Sequence, residues 1–213
     1  MKMSSLLENS DSIAGFQAED SVLESLAKRA LREERDWKFI HSICPGTPCQ
    51  KILLPNVVIW NESSAENARH GDIRVARTDI HGRPLRDDCV YIDVKNTRRH
   101  EYASLTFKRT GESAKRDAIQ YLCGFIGDGV PDTDFWYMTF GNRGDYVICL
   151  KDVRDFVQST SEEEMLLICK KSERQENGTT KKMWYMSFEK PLERCFSYDM
   201  ETWFQEVLSQ RLG

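Results

Sequence analysis

Four charged residues have the types and spacing that metal-dependent phosphodiester hydrolysis needs. Asp93 and Lys95 lie two positions apart in segment 89–95, where apolar residues alternate with others, so a β-strand would place both on one face. Asp72 begins an earlier alternating segment, and Glu19 lies in a helical pattern. Two carboxylates can hold Mg²⁺ or Mn²⁺, and an adjacent lysine can orient the attacking water or help to deprotonate it once its pKa is lowered. These residues predict a site that hydrolyses phosphodiester bonds.

The helix that contains Glu19 is predicted from its periodicity. From Gln17 to Arg35, apolar residues recur at spacings of three and four, which is typical of an amphipathic helix. Glu19 projects from this apolar stripe, whereas Asp20 is expected on the solvent side. A carboxylate in the position of Glu19 either points into a site or interacts with the positive end of the helix dipole. The sequence leaves both interpretations open.

Strand and helix patterns alternate along the chain and predict an α/β fold with a central mixed β-sheet flanked by helices. The turn residues 141–144 predict a hairpin between two of the strands. Strands are predicted at 37–43, within 51–60, and at 71–75, 89–95, 135–140, 145–150, 165–170 and 183–188. Helices are predicted at 17–35, 114–126, 153–157 and 200–212.

This order of elements and charged residues resembles that of the PD-(D/E)XK nuclease superfamily. Asp93-Val94-Lys95 matches the D-x-K signature of that superfamily. Asp72 matches the acid of the preceding strand, and Glu19 matches the acid of the first helix. A D-x-K triplet alone is common in charged chains, so the resemblance depends on the combination of all three features.

Two further details bear on the resemblance. Gly15 and Glu19 form a Gly-x-x-x-Glu motif that is similar to the opening of archaeal-type Holliday junction resolvases. Gly71 precedes Asp72 at a position where the family pattern often has proline, and this is a departure. The likeness covers roughly residues 15–157.

The resemblance implies a domain organisation. It implies a restriction-endonuclease-like core at about 15–157 within a single domain that spans 15–213. Peripheral strands and a helix are expected at 158–213. The polar, Ser-rich residues 1–14 are expected to form a flexible arm.

The resemblance also implies a cofactor and a role for each site residue. Mg²⁺ or Mn²⁺ would be bound by Asp72 and Asp93, with the main-chain carbonyl of Val94 completing the shell and Glu19 assisting. Lys95 would orient the attacking water or help to deprotonate it. The implied activity is endonucleolytic cleavage of nucleic acid, with DNA as the favoured substrate.

Positive charge is concentrated around these acids. Residues 69–117 contain 12 Lys and Arg against 8 Asp and Glu, although the whole chain has a formal net charge of −4. Such a cluster can hold a phosphate backbone, or it can simply form a solvated face. The candidates for nucleic-acid contact are Arg74, Arg98, Arg99, Lys108, Arg109, Lys115 and Arg116.

Composition predicts a soluble protein. The 213 residues are 40% hydrophobic and 30% charged, and no run approaches the roughly 18 apolar residues that span a bilayer. The first residues do not match a signal peptide, and the seven cysteines have scattered spacing. We therefore expect a cytoplasmic protein without a membrane partner, with the nucleus or a virus-infected host cell left open.

Other functions stay open at this level. A catalytically silent protein of the same fold could bind nucleic acid or another protein, and an RNA endonuclease could use a similar set of acids and lysine. His41, Cys44 and Cys49 have the spacing of a zinc half-site, but no fourth ligand is evident, so loop residues are the simpler interpretation. A homodimer would suit double-strand cleavage, although no sequence feature establishes one.

Overall fold

The computed structural model describes most of the chain. The described residues are 3–47, 52–63, 67, 69–96, 104–124, 132–139, 144–176, 178–188 and 197–213. Three residues named above, Arg98, Arg99 and Cys49, lie outside these ranges. The predictions made for them therefore stay predictions.

Helices occur at both ends of the chain and in its middle. Within the described residues they are α1 (Met3–Arg32), α2 (Ala114–Cys123), α3 (Leu150–Ser159), α4 (Glu162–Ile168) and α5, which comprises Met200–Thr202, the π-helical Trp203–Leu208 and Ser209–Leu212. Ser113 is the N-cap of α2, and its Oγ accepts a hydrogen bond from the main-chain N–H of Arg116. None of the described helices is both long enough and apolar enough to cross a membrane.

The strands form two sheets in the described part of the chain. The larger has the order β10-β7-β6-β4-β3-β1-β2, and the smaller has the order β5-β9-β8. The strands are β1 (Trp37–Ile43), β2 (Val57–Asn61), β3 (Ile73–Thr78), β4 (Pro84–Asn96), β5 (Ser104–Lys108), β6 (Phe135–Thr139), β7 (Tyr146–Cys149), β8 (Cys169–Glu176), β9 (Thr179–Ser187) and β10 (Ser197–Asp199).

The larger sheet is mixed, as the sequence predicted. β4 pairs antiparallel with β3 and parallel with β6, while β1 pairs antiparallel with β3 and parallel with β2. The predicted hairpin is present as the antiparallel pair of β6 and β7. The coarse prediction of an α/β protein with a mixed central sheet is therefore confirmed.

Helices cover both faces of the larger sheet. One face packs against α1 and α5 through residues such as Leu23, Leu26 and Phe204. The other face packs against α2, α3, α4 and the smaller sheet, with Trp136 and Trp184 in the shared core. Each large apolar side chain buried in these layers stabilises the fold by roughly 1.5–3 kcal/mol before conformational entropy is subtracted.

Several elements differ from the sequence prediction, and β5 and β10 were not predicted at all. Helix α1 begins at Met3 rather than near Gln17, so the segment expected to be a flexible arm is helical from Met3 onwards. The strand expected at 165–170 is wrong, because α4 extends to Ile168 and β8 begins only after it. A capping box favours this helix, since Ser161 and Glu164 each bond the other's main-chain N–H with a side-chain oxygen.

Candidate active site

Glu19 contacts a buried histidine on the neighbouring strand. His41 is fully buried in β1, and its Nε2 lies 3.0 Å from Glu19 Oε2. Because β1 alternates, His41 lies on the same face as Trp37 and Phe39, which is the face that packs against α1. The other ring nitrogen, Nδ1, lies 3.5 Å from Asp20 Oδ1. Asp20 is buried, so the expectation that it faces solvent is wrong.

The start of α1 decides between the two interpretations of Glu19. Helix α1 begins at Met3, so Glu19 lies in the middle of the helix. The favourable effect of the helix dipole on a carboxylate decays within the first turn. Glu19 therefore does not serve the helix dipole, and its carboxylate is directed at His41.

Asp72 follows a turn that requires glycine. Gly71 has a φ of +83°, and a Cβ there would lie 2.9 Å from the carbonyl oxygen of Ile92 and 3.0 Å from Asp93 Cβ. Its N–H also donates a 2.8 Å hydrogen bond to the carbonyl of Asn67. Proline holds φ near −65° and has no N–H, so it fits neither requirement. The departure from the family pattern at this position has a structural reason.

Asp72 is tied to both neighbouring strands. Its N–H donates to the carbonyl of Ile92 at 2.9 Å, and its carbonyl accepts from the N–H of Ser42 at 2.8 Å. Its side-chain Oδ2 accepts a 2.7 Å hydrogen bond from the main-chain N–H of Val94. The carboxylate is therefore held against β4, beside the segment that contains the D-x-K triplet.

Asp93 and Lys95 contact each other on one face of β4. Asp93 is buried, and the Nζ of Lys95, whose side chain is 40% exposed, contacts Asp93 Oδ2. Burial lowers the pKa of Lys95, but the charge and hydrogen bond of Asp93, together with the nearby Tyr121 and Asp72, outweigh burial, so the pKa of Lys95 is raised. The contact with Asp93 therefore favours the charged form of Lys95. Lys95 is an ammonium group at neutral pH.

The carboxyl group of Asp72 is buried close to two other acidic residues, Asp93 and Glu19. Burial raises its pKa most, the charges of Asp93 and Glu19 raise it further, and a hydrogen bond with the Asp93 carboxyl adds to this effect. Lys95 opposes the shift, yet the pKa of Asp72 stays well above its usual value. Glu19, Asp93 and Lys95 therefore all lie within electrostatic reach of Asp72.

The carboxylates of Asp72 and Asp93 fit a hard divalent cation. Adjacent carboxylates that repel each other are relieved when a cation neutralises them, and Mg²⁺ accepts one or two protein carboxylates with water filling the other positions. In the described ranges, no group of three or more His, Cys, Asp or Glu side chains is placed to hold a metal ion. Asp72 and Asp93 alone could supply only part of the shell of a Mg²⁺ or Mn²⁺ ion, and water would supply the rest.

Arg74 lies on the same face of the sheet as the D-x-K pair. It is the register partner of Tyr91, and Tyr91 shares a face with Asp93 because the two are separated by two positions in β4. The guanidinium carbon of Arg74 lies 4.4 Å from the ring centroid of Trp60 on β2. Of the described candidates for nucleic-acid contact, Arg74 is on the sheet face that contains the site.

The other described basic candidates belong to the second layer. Lys108 is exposed on β5, and the guanidinium of Arg109 lies 5.9 Å from the ring of Trp184. Lys115 Nζ donates a 2.8 Å hydrogen bond to the carbonyl of Gln158. These contacts place Lys108, Arg109 and Lys115 beside the smaller sheet and α3 rather than against the acids.

Arg116 pairs with a buried carboxylate that holds the start of α2. Asp117 accepts hydrogen bonds from the N–H of Thr110 at 2.8 Å and from Trp184 Nε1 at 3.0 Å, and Arg116 lies 3.3 Å from its Oδ1. Burial raises the pKa of Asp117, but these bonds from Thr110, Trp184 and Gly111 outweigh burial and lower it. This network joins α2, which also contains Tyr121, to the smaller sheet.

The sequence analysis did not predict the roles that three residues have beside the acids. His41 could have been found by the argument used for Glu19, since it is a polar residue on the buried face of an amphipathic element. Gly71 could have been found as a glycine directly before an acid at a strand start. No local pattern indicates Tyr121, because its influence on Lys95 arises from the packing of α2 on the sheet.

No protein-family model matches the chain, and no curated protein or solved structure is significantly similar to it. A functional argument for this protein therefore depends on the residues and geometry of the site.

Proposed function

We propose that this protein is a metal-dependent nuclease that hydrolyses phosphodiester bonds of nucleic acid, with Mg²⁺ or Mn²⁺ as cofactor and DNA as the first substrate to test. One observation carries the proposal. Two adjacent carboxylates, Asp72 and Asp93, share the end of a mixed sheet with the ammonium group of Lys95. A structural ion pair would not need a second buried acid beside it, because an unneutralised buried carboxylate destabilises the fold.

The order of the elements supports the proposal. Glu19 lies on the first helix, Asp72 directly precedes β3, and the D-x-K triplet lies on β4, which pairs antiparallel with β3. Helix α2 and then β6, parallel to β4, follow in the chain. This is the order that the resemblance to the PD-(D/E)XK superfamily implies for a restriction-endonuclease-like core.

Each residue has a distinct task in the proposed reaction. Asp72 and Asp93 would hold the cation, with the carbonyl of Val94 and the carboxylate of Glu19 assisting. A bound Mg²⁺ would stabilise negative charge on the attacking and leaving oxygens. As an ammonium group, Lys95 would donate hydrogen bonds to the attacking water or to a phosphate oxygen and stabilise the charge that develops there.

A cleavage assay tests the proposal directly. Supercoiled plasmid, single-stranded DNA, single-stranded RNA and a four-way junction would be incubated with the protein in Mg²⁺, Mn²⁺ or EDTA. We expect cutting that requires a metal and falls by at least about 100-fold in Asp93→Ala and in Lys95→Ala. The matched controls are Asp155→Ala and Lys151→Ala, which break an exposed ion pair on α3 and should cut like the wild type.

The alternative function predicts a different result. A catalytically silent binding module would bind nucleic acid equally well in Mg²⁺ and in EDTA, and Asp93→Ala would not alter the binding. Absence of cutting on every substrate and with both metals, together with this metal-independent binding, would replace the nuclease proposal with the binding module.

A further inference from the structure

Trp60 differs from every other tryptophan of the chain. All five tryptophans lie in the described residues, and the other four are buried. The side chain of Trp60 is 42% exposed, on the edge strand β2. An exposed indole is a surface on which a planar ring can stack.

The position of Trp60 relates it to the acids. It is the register partner of Ser42 on β1, and the N–H of Ser42 bonds to the carbonyl of Asp72 on β3. The order β2-β1-β3-β4 puts three strand spacings, or about 14 Å, between the strand of Trp60 and that of Asp93. That span corresponds to about four stacked nucleotides of one strand.

Arg74 connects the indole to the face on which the acids lie. Its guanidinium covers part of the Trp60 ring, and its Nε is buried without a hydrogen-bond partner. No carboxylate in the described ranges pairs with Arg74, so its charge is available to an anion. The cation–π contact alone contributes only about 0.5–1 kcal/mol at an exposed site, which does not explain why a tryptophan is displayed at this edge.

We propose that Trp60 and Arg74 form a subsite for an unpaired nucleotide of a single-stranded nucleic acid. The base stacks on the indole, and the adjacent phosphate pairs with the guanidinium. Bases inside a duplex have both faces covered by their neighbours, so an indole at this edge selects strands that are single or locally unpaired. This inference rests on the proposed nuclease function and specifies its substrate class.

The fluorescence of Trp60 provides the test. Because the other tryptophans are buried, the acrylamide-quenchable emission of the folded protein comes from Trp60. A 12-nucleotide single-stranded DNA, the same sequence as RNA, and the blunt DNA duplex would be titrated in EDTA, which prevents cutting. We expect both single strands, but not the duplex, to reduce that emission and to protect it from acrylamide. A difference between DNA and RNA would identify the preferred strand.

Substitutions separate stacking from charge. Trp60→Ala should weaken single-strand binding about tenfold without changing its salt dependence, while Trp60→Phe keeps a ring and should stay within about threefold of the wild type. In a plot of the logarithm of the binding constant against the logarithm of the salt concentration, Arg74→Ala should reduce the size of the slope by about 0.7. The matched control is Ile59→Ala, an exposed neighbour on the opposite face of β2, which should bind like the wild type.

The outcomes distinguish this subsite from the function on which it rests. If Trp60→Ala binds single strands as tightly as the wild type, or if the duplex quenches the emission equally, the subsite is refuted. Should metal-dependent cutting still disappear in Asp93→Ala, the nuclease proposal survives that result. Failure of the wild type both to bind and to cut any nucleic acid refutes the subsite and the nuclease proposal together.

Discussion

The main-chain N–H of Val94 donates a 2.7 Å hydrogen bond to Oδ2 of Asp72. Val94 is the central residue of the D-x-K triplet, so this bond fixes the first acid against the backbone that presents Asp93 and Lys95. Asp72 consequently cannot turn away from Asp93, although their charges repel and raise the pKa of Asp72. Held in this way, the acids would not need to rearrange to bind the proposed cation.

The first prediction concerns Asp72→Asn. Folding raises the pKa of Asp72, so the ionised carboxyl destabilises the folded state above its usual pKa of about 4, and this cost disappears as the pH falls to that value. In EDTA at pH 7.5 we expect Asp72→Asn to be more stable than the wild type by about 0.5–2 kcal/mol. Urea denaturation at pH 7.5 and at pH 4 measures this difference, which should shrink at pH 4.

Metal provides the complementary test of Asp72. Mg²⁺ should raise the melting temperature of the wild type at pH 7.5 and should have little effect on Asp72→Asn, because a neutral amide binds the ion weakly. Asp155→Asn, which alters an exposed carboxylate, is the control. Equal stabilisation of both proteins by Mg²⁺ would contradict a role for Asp72 in metal binding.

The second prediction compares two glycines. Both Gly71 and Gly82 have a positive φ, but a Cβ at position 82 would meet nothing within 4 Å. Gly82→Ala should lower the free energy of unfolding by about 1 kcal/mol, because only the backbone conformation is unfavourable. Gly71→Ala should lower the free energy of unfolding by at least about 2 kcal/mol, because its Cβ also collides with β4. Nuclease activity should fall only in Gly71→Ala, and equal losses of stability in the two variants would show that the collision is relieved.

The third prediction concerns His41 and Glu19. His41 Nε2 and Glu19 Oε2 lie within hydrogen-bond distance, at 3.0 Å, so the buried ring of His41 positions the Glu19 carboxyl group. A double-mutant cycle with His41→Ala and Glu19→Ala should give a coupling of about 1–2 kcal/mol in stability. His41→Gln, which retains a donor, should preserve more of the Mg²⁺ affinity than His41→Ala. If the losses of stability in the two single variants add up to the loss in the double variant, the two side chains do not act as a pair.

The fourth prediction concerns Asp117, which lies outside the proposed site. Folding lowers its pKa, so its stabilising effect is present above its usual pKa of about 4 and is lost as the pH falls through the lowered value. Asp117→Ala should therefore lower the free energy of unfolding by about 2–3 kcal/mol at pH 7, because the indole N–H of the buried Trp184 and the main-chain N–H of Thr110 would both lack their acceptor.

Acid titration separates this structural role from a simple packing defect. The difference in the free energy of unfolding between Asp117→Ala and the wild type should become smaller below pH 4. A loss of stability caused by a packing defect would not depend on pH. Chemical denaturation across that range measures the difference. Asp155→Ala should change stability by less than about 0.5 kcal/mol throughout.

Local periodicity determined several features from the sequence alone. Alternation in segment 89–95 was sufficient to put Asp93 and Lys95 on one face of a strand, because side-chain direction in a strand repeats every two residues. The same kind of reasoning located β1 at Trp37–Ile43 and the start of α2 at Ala114. Such patterns involve only residues close together in the chain, so they can be read without knowing the fold.

Tertiary structure decided what periodicity could not. Glu19 had two interpretations until β1 brought His41 to it, and Asp20 was assigned to solvent although it is buried beside the same ring. The helix at Glu162–Ile168 depends on a cap at Ser161 that an apolar pattern does not reveal. Strand register and helix packing set these contacts between residues far apart in the chain, and a single sequence contains no direct record of them.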